Sequence, residues 1–335
     1  MKKLLFIIPM LAIAANIPDL AQLEKMIARF APTELRADIS KLSSGDRQAV
    51  AKLVEASRVL DDIFLQQLWS GNEAMNAKLR RDTTPLGKAR LHDFWIEKGP
   101  WSSLDDGAAF LPGVPDKKLP GANFYPEDMT RAEFEAWVKT LPEAERQKAG
   151  GFFTVIRRDA SRRLKMVPYS QEYKADLAKS ARLLEEAAGL TGNATLKKFL
   201  LSRGAAFYSN DYYESDLAWM DLDAPIDITI GPYETYNDEV FGYKAAFEAY
   251  VNVRDDVETA KLRFFGDHLQ EVENNLPIDP KYRNPKLGGQ APIRVVNEVF
   301  AAGDGGETRG ARYPARVLTQ SCLWPCAVAF TCMAR

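Results

Sequence analysis

Apolar residues recur three and four positions apart through the first 80 residues. Leu53, Leu60, Phe64 and Leu68 fall on one stripe with charged residues between them, which predicts amphipathic helix over residues 17 to about 80. Ser43, Ser44 and Gly45 before Asp46 mark a helix start, and Gly71-Asn72 an interruption or an end. Residues 82 to 128 lose the rhythm. Pro85, Pro100, Pro112, Pro115, Pro120 and Pro126 argue against any long element, while Trp95, Trp101, Phe110, Phe124 and Tyr125 predict an ordered, aromatic-pinned loop region. Thr130, with Glu133 three residues on, opens another helix. Phe153 to Ile156 reads as a strand. Tyr173, Leu177, Ala181, Leu184 and Ala188 mark a helix face ended near Gly189, and residues 194 to 209 form one more helix.

The period then drops to two. Ile226, Ile228 and Ile230 alternate with Asp227 and Thr229, and Gly231-Pro232 follows as a turn that aims the next residues. Phe247, Ala249, Val251 and Val253 alternate likewise, although Lys244 to Tyr250 also fits a helix. The expected class is α+β, mainly helical with a strand-rich segment near 225–300. The division is a signal peptide at 1–15, a helical and loop-rich region at 16–148, an α+β cleft region at 149–305, and an aberrant tail at 306–335.

Composition narrows the function. With 335 residues, 46% of them hydrophobic and 27% charged, the chain is ordinary globular material of about two domains. A net charge of -2 gives no basic excess for phosphates, so nucleic acid is not an expected partner. Lys2 and Lys3, the apolar run Leu4 to Ala15 and the Ala12-Ile13-Ala14 pattern read as an export signal, which predicts a periplasmic or secreted protein. The run is too short for a stable membrane span. All three cysteines, Cys322, Cys326 and Cys332, fall late, where arginine replaces the Lys/Glu mixture and neither period continues. C-x3-C plus a lone Cys lacks paired metal spacing, and a shifted reading frame accounts for the break.

Four features bear on chemistry. Asp211, Glu214, Asp216, Asp221, Asp223 and Asp227 are dense enough for calcium or glycosidase chemistry, and equally serve as a solvated face or as partners for Lys and Arg. Glu234 and Tyr236, two apart, share a face in extended chain, where a carboxylate beside a phenol can hold an ammonium and polarise a carbonyl. Asn297, in or just after an apolar strand-like run, can bond a peptide backbone or cap a turn. His92 and His268, the only histidines, have no second histidine at helical spacing and no H-E-x-x-H context.

Ala122-Asn-Phe-Tyr-Pro-Glu-Asp-Met129, Val167-Pro-Tyr-Ser170, Asn210-Asp-Tyr-Tyr-Glu-Ser-Asp-Leu-Ala-Trp-Met-Asp-Leu222, Ile230-Gly-Pro-Tyr-Glu-Thr-Tyr236 and Asn275-Leu-Pro-Ile-Asp279 occur in order. Together they resemble the dipeptidyl peptidase III family of zinc metallopeptidases, in its shorter bacterial form, over residues 20 to about 305. The resemblance implies a two-lobed enzyme that removes dipeptides from short peptides, with a zinc-bearing helical lobe and a β-barrel-like core cradling the peptide. By that match Glu234 holds the substrate ammonium and Tyr236 donates to the scissile carbonyl. Asn297 corresponds more loosely to an asparagine that binds peptide backbone.

The family's zinc sits on a helix with two histidines and an adjacent glutamate, plus a glutamate from a following helix. No histidine follows His268. The expectation is a chain cut short of its zinc ligands and inactive as written. Two alternatives stay open: a non-catalytic peptide-binding protein, and a glycoside hydrolase using two of Glu214, Asp216, Asp221 and Asp223.

Overall fold

A computed structural model describes residues 17–32, 34–287, 294–303 and 316–319, the last as backbone. The segment read as an export signal and the three cysteines lie outside the described residues.

The chain opens with four helices: α1 (Leu20–Ile27), α2 (Ser44–Leu68), α3 (Asn72–Arg81) and α4 (Pro85–Glu97). Ser43 caps α2 by accepting from the Asp46 amide, which is the start the sequence signals. Helix α4 is a correction to the loop expected there. Pro85 occupies the first turn, where a missing N–H costs nothing, and Thr84 caps by accepting from the Gly87 amide. The loop after it holds two two-residue strands, β1 (Trp101–Ser102) and β2 (Ala108–Ala109), paired antiparallel. Leu23, Leu65, Leu79, Phe94, Phe110 and Leu111 bury a small core among these elements.

Helices α5 (Arg131–Lys139) and α6 (Glu143–Ala149) precede a hairpin of β3 (Thr154–Arg158) and β4 (Leu164–Pro168). Thr130 caps α5 as expected. Next come α7 (Tyr169–Glu172), α8 (Lys174–Leu190), α9 (Ala194–Ser209) and α10 (Tyr213–Met220). The predicted stripe on α8 is buried from Leu177 to Ala188.

The rest is strand-rich: β5 (Ile226–Glu234), β6 (Ala246–Arg254), α11 (Asp256–Asp267), α12 (Leu269–Asn274), β7 (Arg294–Gly303) and β8 (Arg316–Thr319). The helical reading of Lys244 to Tyr250 gives way to strand. Strand β8 falls inside the stretch where no period was legible. All four strands pair antiparallel in the order β5-β6-β7-β8. Among the described residues this is an open sheet, not the barrel-like core the resemblance implies. The class is α+β, mainly helical.

One large core joins the sheet to α2, α8 and α9, drawing in Leu53, Leu60, Phe199, Ile228, Phe247 and Val251. The alternation in β5 misleads in one respect. Asp227 and Thr229 are as buried as the isoleucines, so both faces of the strand are covered. Gln67 on α2 acts like a strand neighbour to β6: its amide donates to the Ala245 carbonyl at 3.2 Å and accepts from the Phe247 amide at 2.8 Å.

Candidate functional site: the end of strand β5 and its turn

Strand β5 continues through Gly231 and Pro232 to Glu234, with a register shift between Pro232 and Glu234. Gly231-Pro232 is therefore part of the strand rather than a turn after it. Gly231 has a φ of 151°, and a Cβ there would meet the Nη1 of Arg203 at 2.8 Å. Arg203 lies fully buried beneath the strand. Its Nη2 donates to Asp216 at 2.5 Å, and its guanidinium stands 5.5 Å from the Tyr233 ring and 5.3 Å from that of Tyr212. A glycine is what lets the backbone pass over this buried cation.

Glu234 is the last residue of β5, an edge strand of the sheet, and is half-buried. No hydrogen bond or ion pair reaches its carboxylate among the described residues. Tyr236 is not in extended chain. It sits in the turn that follows, 39% exposed, so the shared strand face expected from the spacing is absent. What places Tyr236 is the turn itself.

That turn is organised by Asp238. Its carboxylate is 2% exposed and accepts five hydrogen bonds. One comes from the Tyr125 hydroxyl at 2.7 Å, and four from the amides of Val240, Phe241, Tyr243 and Lys244 at 2.9–3.2 Å. Burial, with Asp238 adding to it, pushes the Tyr125 phenol far above its ordinary range, so it stays a donor. Lys118 ties the turn from outside, with its ammonium 3.3 Å from Asn237 Oδ1 and 3.2 Å from Glu239 Oε1. The Glu239 amide donates to the Pro120 carbonyl at 2.8 Å. Behind the turn, Lys244 is fully buried and donates to the carbonyls of Ala149 and Gly151 and to Thr154 Oγ1. Burial pushes its pKa down to about 7, with Asp238 acting in the opposite sense.

Asn297 lies within β7, as its apolar run suggests, but far from this turn. Glu234 stands opposite Ala246 and Asn297 opposite Val253. Seven residues of β6 separate the two rows, roughly 23 Å at ~3.3 Å per residue. The sheet therefore keeps Glu234 with Tyr236 and sets Asn297 at the opposite end.

Half of the acidic set is spent on ion pairs. Asp216 holds Arg203, Asp221 holds Lys198, and Asp223 holds Arg254 and Arg294. Asp211 accepts from the Tyr213 amide. Sequence reasoning missed Asp238, Lys118 and Arg203. The signal for Asp238 was available: an aspartate shortly after a strand and four residues before a glycine can bond the amides that follow it.

The described residues do not fit a zinc site. Among the described residues no three His, Cys, Asp or Glu side chains converge to hold a metal. His92 is exposed on α4. His268 is exposed beside α12, with Nδ1 against the Phe264 carbonyl at 2.7 Å.

Comparison with known proteins gives this arrangement a context. Residues 157–288 match the model of peptidase family M49. The structure of dipeptidyl-peptidase III from Corallococcus sp. strain EGB superposes with a TM-score of 0.79 at 53% identity, over 87% of this chain and 54% of that one. The structure of DPP III from Caldithrix abyssi gives a TM-score of 0.79 at 48% identity, over 84% and 53%. A curated relative, Nudix hydrolase 3 from Arabidopsis thaliana, is 40% identical over 84% of this chain and 43% of its own length. The chain thus spans about half the length of these relatives.

Proposed function

Taking the chain as a part-length relative of the dipeptidyl peptidase III family, M49, we propose that it carries the peptide-holding side of a zinc-dependent dipeptidyl peptidase. Glu234 receives the free ammonium of a short peptide. Tyr236 donates its hydroxyl hydrogen to the scissile carbonyl, as a donor aimed where negative charge develops. The observation that carries this reading is the pairing of a half-buried carboxylate lacking any described partner with a phenol in the adjoining, tightly bonded turn. A charge-assisted bond to an incoming ammonium satisfies that carboxylate.

The family's metal activates the attacking water. Among the described residues none fits that metal, so no hydrolytic step is assigned to them, and they hold peptide without turning it over. Asn297 enters only for a peptide extended about seven residues along the sheet, given the rise per residue of a strand. The ion pairs of Asp216, Asp221 and Asp223 weaken the glycosidase alternative.

Calorimetry with Ala-Ala-Ala-Ala, free and N-acetylated, tests the reading. Acetylation and Glu234→Gln should each weaken binding about tenfold or more, the loss of one charge-assisted bond. Equal affinity for both peptides would remove the ammonium role. Chelator-sensitive cleavage by the purified chain would remove the claim that it does not turn over.

A further inference from the structure

A cavity of about 310 Å³ opens beside the turn, with Tyr236 and Asn237 on one wall. Phe64, Leu68 and Trp101 supply an apolar floor, and Glu97 and Lys118 stand among the polar lining. Several of these groups are fixed before any ligand arrives. Trp101 donates its indole N–H to the Pro115 carbonyl at 2.8 Å and meets Trp69 edge-on at 5.4 Å. Glu97 accepts from the Ser103 amide at 3.0 Å. Lys118 is already bonded to Asn237 and Glu239.

Neither half of the lining suits a second charged group. The Lys118 ammonium is neutralised by Glu239, and that of Lys98, which also lines the cavity, by Asp61 at 3.0 Å. Burial pushes the Glu97 carboxyl up, which disfavours its charged form. What remains is a preformed apolar floor with a polar rim, the usual character of a site for a flat, largely apolar group.

We infer that this cavity is a side-chain subsite that receives an aromatic residue of the peptide next to the bond held at Tyr236. The inference rests on the proposed peptide-binding reading and adds its selectivity. Since Tyr236 forms the cavity wall and faces the second residue's carbonyl in that reading, the aromatic group belongs to the second or third residue. Trp101, Leu68 and Phe64 set the preference by contact, and Lys118 is a positioning residue that holds the wall in place.

The test uses the whole chain and four tetrapeptides, Ala-Ala-Ala-Ala with phenylalanine placed at each position in turn. Calorimetry should find phenylalanine at position two or three binding at least about tenfold tighter than alanine, as burial of one aromatic side chain allows. Ser103→Tyr fills the cavity from an exposed position, giving up only the hydroxyl's bond to Glu97 on the rim. It should abolish that preference and leave the effect of N-acetylation intact. Lys118→Met should reduce the preference without removing it. Acetylation-sensitive binding with no positional preference, or a preference that survives Ser103→Tyr, overturns the subsite alone. No binding of any peptide overturns the proposed function and the subsite with it.

Discussion

Two buried carboxylates in this molecule have opposite surroundings. Asp238, at 2% exposure, sits in an irregular turn and receives five hydrogen bonds. Asp93, at 1%, sits in a regular helix, α4, and neither of its oxygens has a partner among the described residues. Regular secondary structure consumes its own amides, so it offers a buried side chain nothing to accept from. An irregular turn has amides to spare. The turn that looks least ordered by backbone pattern is consequently the better-satisfied region, and it is the one that carries Tyr236. The helix instead keeps a carboxyl that burial, with Glu97 adding to it, pushes up to about 7.

Removing the hub should have the largest effect. Asp238→Ala leaves four amides and the Tyr125 hydroxyl without their acceptor, and should cost at least about 3 kcal/mol in denaturant unfolding. It should also release the turn, so that peptide binding falls by more than Glu234→Gln alone produces. A variant with unchanged stability would mean that the amides find water or other acceptors readily.

Asp93→Asn should act in the other direction. The carboxyl has a folded pKa of about 7 against an ordinary value of 3.8. Between these values the folded chain binds more protons, so the wild type loses stability as pH rises from about 4 to 7. The variant should match the wild type near pH 4 and exceed it at pH 8 by about 1–2 kcal/mol, the scale for relieving an unpaired buried charge. Thermal melts across that range decide it. Parallel curves for both proteins would mean that the nearby Arg29 guanidinium, which pulls the Asp93 pKa down, already compensates the charge.

The smallest effect concerns the slope of stability with pH on the satisfied side. Lys244 has a folded pKa of about 7 and an ordinary value of 10.5. In that window the unfolded chain binds more protons, so stability rises with pH between about 7 and 10.5. Lys244→Met should flatten this rise, whatever it does to stability overall. A rise that persists in the variant would assign it to other groups.

Much of this was legible in the sequence where one rule acted alone. The helix over 194–209, the capped starts at Ser43 and Thr130, and the stripe from Leu177 to Ala188 all follow from spacing and caps. Errors came where two rules competed. Pro85 signals a break and equally a first helical turn, and only the Thr84 cap beside it decides. Asp227 and Thr229 alternate as a solvent-facing row would, yet layers from distant parts of the chain bury them. At the site, the types of Glu234 and Tyr236 were readable but not the turn between them. Asn297 was placed on the correct kind of element and could not be placed on the correct end, because register depends on pairings that no local pattern contains.

The amide of Gln67 reaches across 178 and 180 residues to line up with β6, and Asp61 on the same helix accepts from the Gly303 amide 242 residues later. During synthesis α2 therefore emerges long before the strands that cover it. At about 5–20 residues per second, the usual pace of translation, its apolar stripe waits on the order of ten to fifty seconds for those strands to appear. A helix that is central in the finished molecule thus spends that interval with part of its apolar stripe uncovered.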